Sequence, residues 1–146
     1  MLNLVDVNES NWRIPLHVAK NQESYVSGQT AILARAYAYR NARSRAFYIC
    51  EEETPIGMGM YFDCEELKSY DLSQFFVDAR YQGKGYGKAA ASLILDCMKK
   101  EGKYHKAILC YIEGNEAARR LYEGLGFVER DRDGDEIVME LSWQTA

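Results

Sequence analysis

The chain lacks the residues from which a metal centre is usually built. It has two histidines, His17 and His105, and four cysteines, Cys50, Cys64, Cys97 and Cys110, none in a C-x-x-C pair. Zinc-ligand spacing is absent, so no metal site is expected. No run approaches ~18 uninterrupted apolar residues, so no membrane span is expected. The N-terminal Met-Leu-Asn-Leu-Val-Asp-Val has neither a basic region nor a long apolar core. It does not read as a secretory signal, and a cytoplasmic protein is expected. There is no basic stripe, and the formal net charge is -4, so nucleic acid is a poor partner. That acidic balance mildly favours a cationic substrate. Internal repeats and low-complexity segments are absent as well.

What remains is an ordinary globular composition. With 146 residues, 47% of them apolar, the chain reads as a single domain over 1–146 with a substantial core. A short strand is expected at 2–6. A helix is expected from Asn8 to Lys20, with Asn8 or Ser10 as its cap and Trp12, Leu16 and Ala19 on one side. A polar loop follows to Ser27. The segment from Thr30 to Tyr39 has a helical stripe of Ile32, Leu33, Ala36 and Tyr37. Ala46 to Glu51 and Ile56 to Asp63 read as a hairpin, followed by an acidic connection to Lys68 and a strand from Tyr70 to Val77. A helix over about 83–101 is stopped by Gly102. A buried-type strand runs from His105 to Ile112. Cys97 and Cys110 read as small buried hydrophobes in these last two elements. Asn115 caps a further helix carrying Ala118, Leu121, Tyr122 and Leu125. Phe127 to Arg130 and Ile137 to Leu141 flank an Asp133-Gly134 turn. The pattern predicts an α/β fold with a mixed, mostly antiparallel sheet, one parallel βαβ crossover and about four helices.

The most informative stretch is Gln82-Gly83-Lys84-Gly85-Tyr86-Gly87. A strand that turns through glycines into a helix leaves main-chain N–H groups unpaired at the positive end of the helix dipole, which suits an anion. Glycine lets a phosphate approach the backbone, and Lys84 and Lys88 add charge. Three readings compete. The glycines can simply form a tight turn. Gly85-Tyr86-Gly87-Lys88-Ala89-Ala90 fits a G-x-G-x-x-A dinucleotide fingerprint with Glu113 within reach, but that fingerprint opens a doubly wound sheet, and only one βαβ unit is readable. A Walker-type loop fails, because Ala89 follows Gly87-Lys88 and no glycine stands five positions before Gly87.

Two motifs in order carry a resemblance. Gln82-x-x-Gly85-x-Gly87, directly after Val77-Asp78, is similar to the pyrophosphate loop of the GNAT superfamily of acetyl-CoA-dependent N-acetyltransferases. Asn115-x-x-Ala118-x-x-x-Tyr122-x-x-x-Gly126-Phe127 resembles its second signature. Phe75-Phe76-Val77 and the segment Gln22-Glu23-Ser24-Tyr25-Val26 further resemble diamine (spermidine/spermine) acetyltransferases. The resemblance implies acetyl-CoA as co-substrate, no metal, a small-molecule amine acceptor and a homodimer. It places the donor against Phe75, Phe76, Val77, Gln82, Gly83, Lys84, Gly85, Tyr86, Gly87, Lys88, Asn115 and Ala118. It also makes Val77 N–H the oxyanion donor and Tyr122 the acid that protonates the leaving thiolate. One departure stands out. Ser73-Gln74 occupies the place where some relatives carry a glutamate before Phe-Phe-Val.

The chemistry asks for a base, since an alkylammonium of pKa ~10.4 is neutral only about once in 10³ molecules at neutral pH. Glu23, Asp63, Glu65, Glu66 and Asp71 are the candidates, with Glu23 preferred because the loop between the first two helices usually lines the acceptor site. No cysteine has an obvious activator, so direct attack without an acyl-enzyme is expected. Other amines (aminoglycosides, amino acids, a peptide drawn to Asp63–Glu66) stay open as acceptors, as does a non-catalytic acyl-CoA-binding module.

Overall fold

The computed structural model describes residues 1–143. Its elements are β1 (Leu2–Asp6), α1 (Gln29–Ala38), β2 (Arg45–Glu51), β3 (Thr54–Cys64), β4 (Ser69–Val77), α2 (Tyr86–Glu101), β5 (Lys106–Ile112), α3 (Glu116–Gly124), β6 (Val128–Asp133) and β7 (Glu136–Ser142). All seven strands form one sheet in the order β1-β2-β3-β4-β5-β7-β6. Every neighbouring pair is antiparallel except β4 and β5, which are parallel and joined through α2. This is the mixed sheet with one crossover that the sequence predicts. A doubly wound sheet would need repeated parallel pairs, so the dinucleotide reading has no scaffold; its acidic residue, Glu113, is instead paired with Arg132 at 3.0 Å.

The sheet separates two cores. On one side α2 buries Ala90, Ala91, Ile94, Leu95 and Met98 against Phe47, Tyr70, Leu72 and Leu109. Those helix positions recur at three- and four-residue spacing, which is why one face of α2 is apolar. Gly102, in the left-handed region with φ +76°, ends α2 and donates its N–H to Met98 O at 3.1 Å. On the other side α1 buries Ile32 against Tyr48, Met58, Met60 and Phe76.

Four expectations need correction. The helix expected over Asn8–Lys20 does not form: residues 9–13 are turns, extended chain follows, and a single 3₁₀ turn spans Lys20–Gln22. Asn8 Oδ1 accepts from Ser10 N–H at 2.8 Å and Asn11 N–H at 3.1 Å, and Asn11 Oδ1 accepts from Asn8 N–H at 2.8 Å. Such side-chain caps compete with the helical ladder, and Pro15 removes a donor in mid-segment. Three α-helices therefore stand among the described residues, where about four are expected. Tyr37 leaves its stripe and is 69% exposed. Cys110 is exposed while Leu109 and Tyr111 are buried, because it lies past the last β4–β5 pair, where β5 borders open space; Cys97 is half-buried. The acidic connection shrinks to a short turn between β3 and β4, and two of its carboxylates are paired. Buried Asp63 accepts from Arg43 Nε at 2.6 Å and Lys103 Nζ at 2.7 Å, and Glu65 pairs with Lys103 and Lys68.

Candidate active site

The parallel pair comes apart almost as soon as it forms. Register holds only at Tyr70–Ala107 and Asp71–Ile108, although β4 runs on to Val77 and β5 to Ile112. Beyond that vertex the strands diverge into a fork. A cleft of about 440 Å³ occupies it, lined by Asp71 to Val77 on one arm and Cys110 to Ile112 on the other. A bulge shapes the β4 arm: Gln74 opposes Met60 and Leu72 opposes Tyr61, which leaves Ser73 unpaired.

The β3 register settles which backbone groups reach the cleft. Asp78 N–H donates to Ile56 O at 2.8 Å. In an antiparallel ladder the bonded residues alternate, so Phe76 also turns its amide and carbonyl toward β3, opposite Met58. Phe75 and Val77 therefore aim theirs at the fork. Of the three β4 residues expected against the donor, Phe76 contributes lining but spends its backbone groups on β3. Val77 O accepts from Gln82 Nε2 at 2.8 Å, which leaves Val77 N–H as the free donor.

Gln82 thus staples the loop to the end of β4. Gly83 and Gly85 have φ of +76° and +80°, and a Cβ at either would meet nothing within 4 Å. Glycine is required there by backbone conformation and not by space. Gly85 caps α2, so the first N–H groups of that helix, from Tyr86 onward, open toward the cleft. Gln82, Gly83, Gly85, Tyr86 and Gly87 line it; Lys84 and Lys88 are exposed at its edge. Sequence reasoning missed the anchor of this loop. Asp78 is fully buried and accepts from Arg80 N–H and Nε, both at 2.9 Å, and from His17 N–H at 2.8 Å. Burial raises its pKa, but these donors outweigh that and hold it below the usual carboxylate range. An Asp just past a strand and two residues before Arg80 is a cap signature that could have found it.

The opposite wall is α3. Asn115, 4% exposed, caps it, with Oδ1 accepting from Ala118 N–H at 3.3 Å. Its amide also pairs with Gln22 from the N-terminal 3₁₀ turn. Ala118, Leu121 and Tyr122 line the cleft. The Tyr122 ring packs edge-on against Phe127 at 5.7 Å, and burial pushes its phenol well above its ordinary pKa, so it stays protonated as a donor.

The N-terminal segment and α1 close the third side through Val18, Gln22, Tyr25, Arg35 and Tyr39. Glu23 is not brought in: it is exposed and lies outside the lining, since the 3₁₀ turn points Gln22 inward instead. Asp63, Glu65 and Glu66 also lie outside the cleft, whereas Asp71 lines it. At this mouth Arg35 Nη1 donates to Ser73 Oγ at 3.3 Å, and Tyr39 stacks on Phe62 at 4.2 Å.

A forked sheet, a left-handed glycine loop opening a helix and free amides on one arm fit a long diphosphate-bearing thioester such as acetyl-CoA. Comparison with known proteins agrees. The profile of the Acetyltransferase (GNAT) family matches residues 6–127. A spermine/spermidine N(1)-acetyltransferase of Bacillus subtilis (strain 168) is 29% identical, covering 95% of this chain and 97% of its own. Among solved structures, a spermidine N-acetyltransferase from Vibrio cholerae in complex with CoA and spermine superposes with TM-score 0.76 at 22% identity, covering 97% of this chain and 95% of that one. The PaiA N-acetyltransferase from Thermoplasma acidophilum in complex with coenzyme A gives 0.74 at 16% identity, covering 98% and 99%. No helix among the described residues is long and apolar enough to cross a membrane. The chain belongs to the GNAT acetyltransferase family and is an acetyl-CoA-dependent enzyme.

Proposed function

We propose that this enzyme transfers the acetyl group of acetyl-CoA to a primary amine of a small aliphatic cation, a polyamine such as spermidine or spermine, by direct attack in a ternary complex. The observation that carries the reading is the fork itself. One end is built for a diphosphate, and the other is a mouth of stacked aromatics (Tyr39, Phe62) beside a carboxylate (Asp71). Aromatic faces and carboxylates suit an alkylammonium. The full-length similarity to a spermine/spermidine enzyme supports the same acceptor class.

When bound, acetyl-CoA supplies an activated carbonyl. The loop from Gln82 to Lys88 and the start of α2 hold its diphosphate, and Phe75 and Val77 extend hydrogen bonds along its arm. Val77 N–H stabilises the negative charge that develops on the acyl oxygen. Tyr122 gives its proton to the departing sulfur. Cys110 is the one cysteine in the lining. Its side chain is exposed within the cleft, where partial desolvation by the surrounding walls, then the carboxylates of Asp71, Glu136 and Asp133, push the thiol up to about 11. It is not a thiolate at neutral pH, which argues for direct transfer and against a cysteine-bound acyl group. A structure of the Vibrio cholerae enzyme is dodecameric, so light scattering is needed to separate the homodimer proposed for this chain from a larger ring.

The test is a panel of spermidine, spermine, an aminoglycoside, free amino acids and a basic peptide, each assayed with acetyl-CoA. The reading expects the highest kcat/KM on a polyamine. Preference for the peptide or aminoglycoside would move the acceptor class, and tight coenzyme A binding without turnover on any amine would leave a binding module.

A further inference from the structure

Charge is unevenly placed around the cleft, and one charge has the opposite sign to the one a cationic acceptor needs. Among the described residues that line it, Arg35 is the one cation, and Asp71 and Glu136 are the carboxylates. Arg35 belongs to α1 and is exposed. Its Nη1 donates to the neutral Ser73 Oγ at 3.3 Å, and no carboxylate among the described residues forms a salt bridge with it. A guanidinium left in this state at the mouth repels an ammonium. Asp71, two residues before Ser73 on β4, lies within the field of the same guanidinium.

Glu136 marks the far lip. In the sheet β4 is followed by β5 and then β7, whereas α1 packs over β2 and β3 on the other side of β4. Ile137 and Met139 point into the core beneath α2, so Glu136 and Val138 face the α1 side of the sheet. Leu109 and Tyr111 fix Cys110 on that side in the same way. Cys110 stands opposite Val138, and Glu136 stands opposite Asp133. Directly opposed residues share a face. An exposed thiol, a half-buried valine and two exposed carboxylates thus form one strip that leads away from Arg35. Neither carboxylate is in a salt bridge among the described residues, whereas Glu140, further along β7, holds both Lys106 and Arg130. From β4 to β7 is two strand spacings, roughly 10 Å where strands are paired and more where they have parted.

Building on the acetyl-transfer reading above, we propose that Arg35 and Glu136 set the direction in which a polyamine lies in the cleft. Arg35 turns the charged tail away from α1, and Glu136, with Asp133 beyond it, receives the second ammonium. The reacting amine stays at the fork, and the methylenes between the two charges cross Cys110 and Val138. Neither charged residue touches the reacting atoms; both determine specificity. Repulsion at one lip and attraction at the other discriminate through a difference of affinities. Spacing selects as well. A second charge reaches Glu136 only across several methylenes, so a short diamine keeps both of its charges near Arg35 and is disfavoured.

The experiment measures initial rates with acetyl-CoA for the wild type, Arg35→Gln, Glu136→Gln and the double variant, at low and high salt. The acceptors are spermidine, a monoamine of similar length with an uncharged tail, and an ω-amino acid whose tail is a carboxylate. The wild type should prefer spermidine over the monoamine, through KM. Glu136→Gln should cut that preference about fivefold, again through KM and not kcat. Arg35→Gln should raise it about twofold, and the double variant should fall between the two. High salt should shrink all of these differences. A Glu136→Gln loss equal on spermidine and monoamine, or carried by kcat, would overturn the proposal. So would a preference that Arg35→Gln leaves unchanged or lowers. A wild-type preference for the ω-amino acid, abolished by Arg35→Gln, would make Arg35 a carboxylate receptor and overturn the steering. Each of these outcomes leaves acetyl transfer intact. Absence of wild-type turnover on every amine would instead overturn the acetyl-transfer reading and this assignment with it.

Discussion

The carboxamides of Gln22 and Asn115 face each other across the wall of the cleft. Asn115 Nδ2 donates to Gln22 Oε1 at 3.0 Å, and Gln22 Nε2 donates back to Asn115 Oδ1 at 3.3 Å. The pair ties the N-terminal 3₁₀ turn to the cap of α3, and so joins the N-terminal side of the cleft to the wall that carries Tyr122. Gln22→Leu removes both bonds and leaves the Asn115 amide nitrogen buried without its partner. A loss of about 1–2 kcal/mol is expected, seen as a fall in Tm. Because the turn lines the cleft, KM for the acceptor should rise while kcat changes little.

The glycine loop separates conformation from contact. Gly85 has φ +80° with open space around it, so Gly85→Ala meets no clash but holds alanine in the left-handed region, at a cost of about 1–2 kcal/mol. Gly87 lies inside α2 with ordinary helical backbone, and its added Cβ would meet only Leu121 Cδ2 at 4.0 Å. Gly87→Ala should stabilise the free protein by about 0.5–1 kcal/mol through helix propensity. Yet if the diphosphate lies against this turn, the same methyl should weaken coenzyme A at least tenfold in calorimetry. Stability and affinity moving in opposite directions would place the ligand against the backbone of Gly87.

The elements whose signals are local were legible in the sequence. The glycine turn, the Gly102 stop of α2 and the Asn115 cap depend on residues a few positions apart, and each lies where its pattern put it. The N-terminal segment was misread because Trp12, Leu16 and Ala19 mimic helical spacing, while Pro15 and the paired turns of Asn8 and Asn11 decide the backbone. Cys110 was misread because an apolar strand does not say whether both faces are covered. Which of the carboxylates faces the cleft was obscured for a different reason. Glu23, Asp63, Glu65, Glu66 and Asp71 look alike as letters, and only the fork between β4 and β5 separates the one in the cleft from those in solvent or in ion pairs.

Tyr122 is a buried phenol that lines the cleft, protonated far above neutral pH. Tyr122→Phe keeps the ring against Phe127 and removes only the hydroxyl. A drop in kcat of about 10–10³-fold is expected, with little change in coenzyme A affinity. The loss should be smaller for an acetyl thioester whose thiol is more acidic than that of coenzyme A, because such a leaving group needs the proton less. An unchanged kcat would take Tyr122 out of the proton transfer.

Asp63 tests the opposite assignment, a carboxylate that belongs to the fold alone. Burial raises its pKa, but Arg43 and Lys103 bind it strongly enough to pull it below the ordinary value. The sign follows. A carboxyl with a lowered folded-state pKa binds its proton less tightly when folded, so its contribution is present above the unfolded value near 3.9 and is lost as pH falls through the folded one. Asp63→Asn should therefore lower stability by about 1–3 kcal/mol at pH 7. That figure is below the usual cost of breaking a buried pair, because the side chains of Arg43 and Lys103 are 49% and 38% exposed. Denaturant melts of variant and wild type should begin to approach each other only below about pH 4 and meet once pH falls past the lowered folded-state value. Acceptor KM should be unchanged throughout, since the cluster lies outside the cleft. A rise in polyamine KM would instead return this acidic turn to the acceptor site.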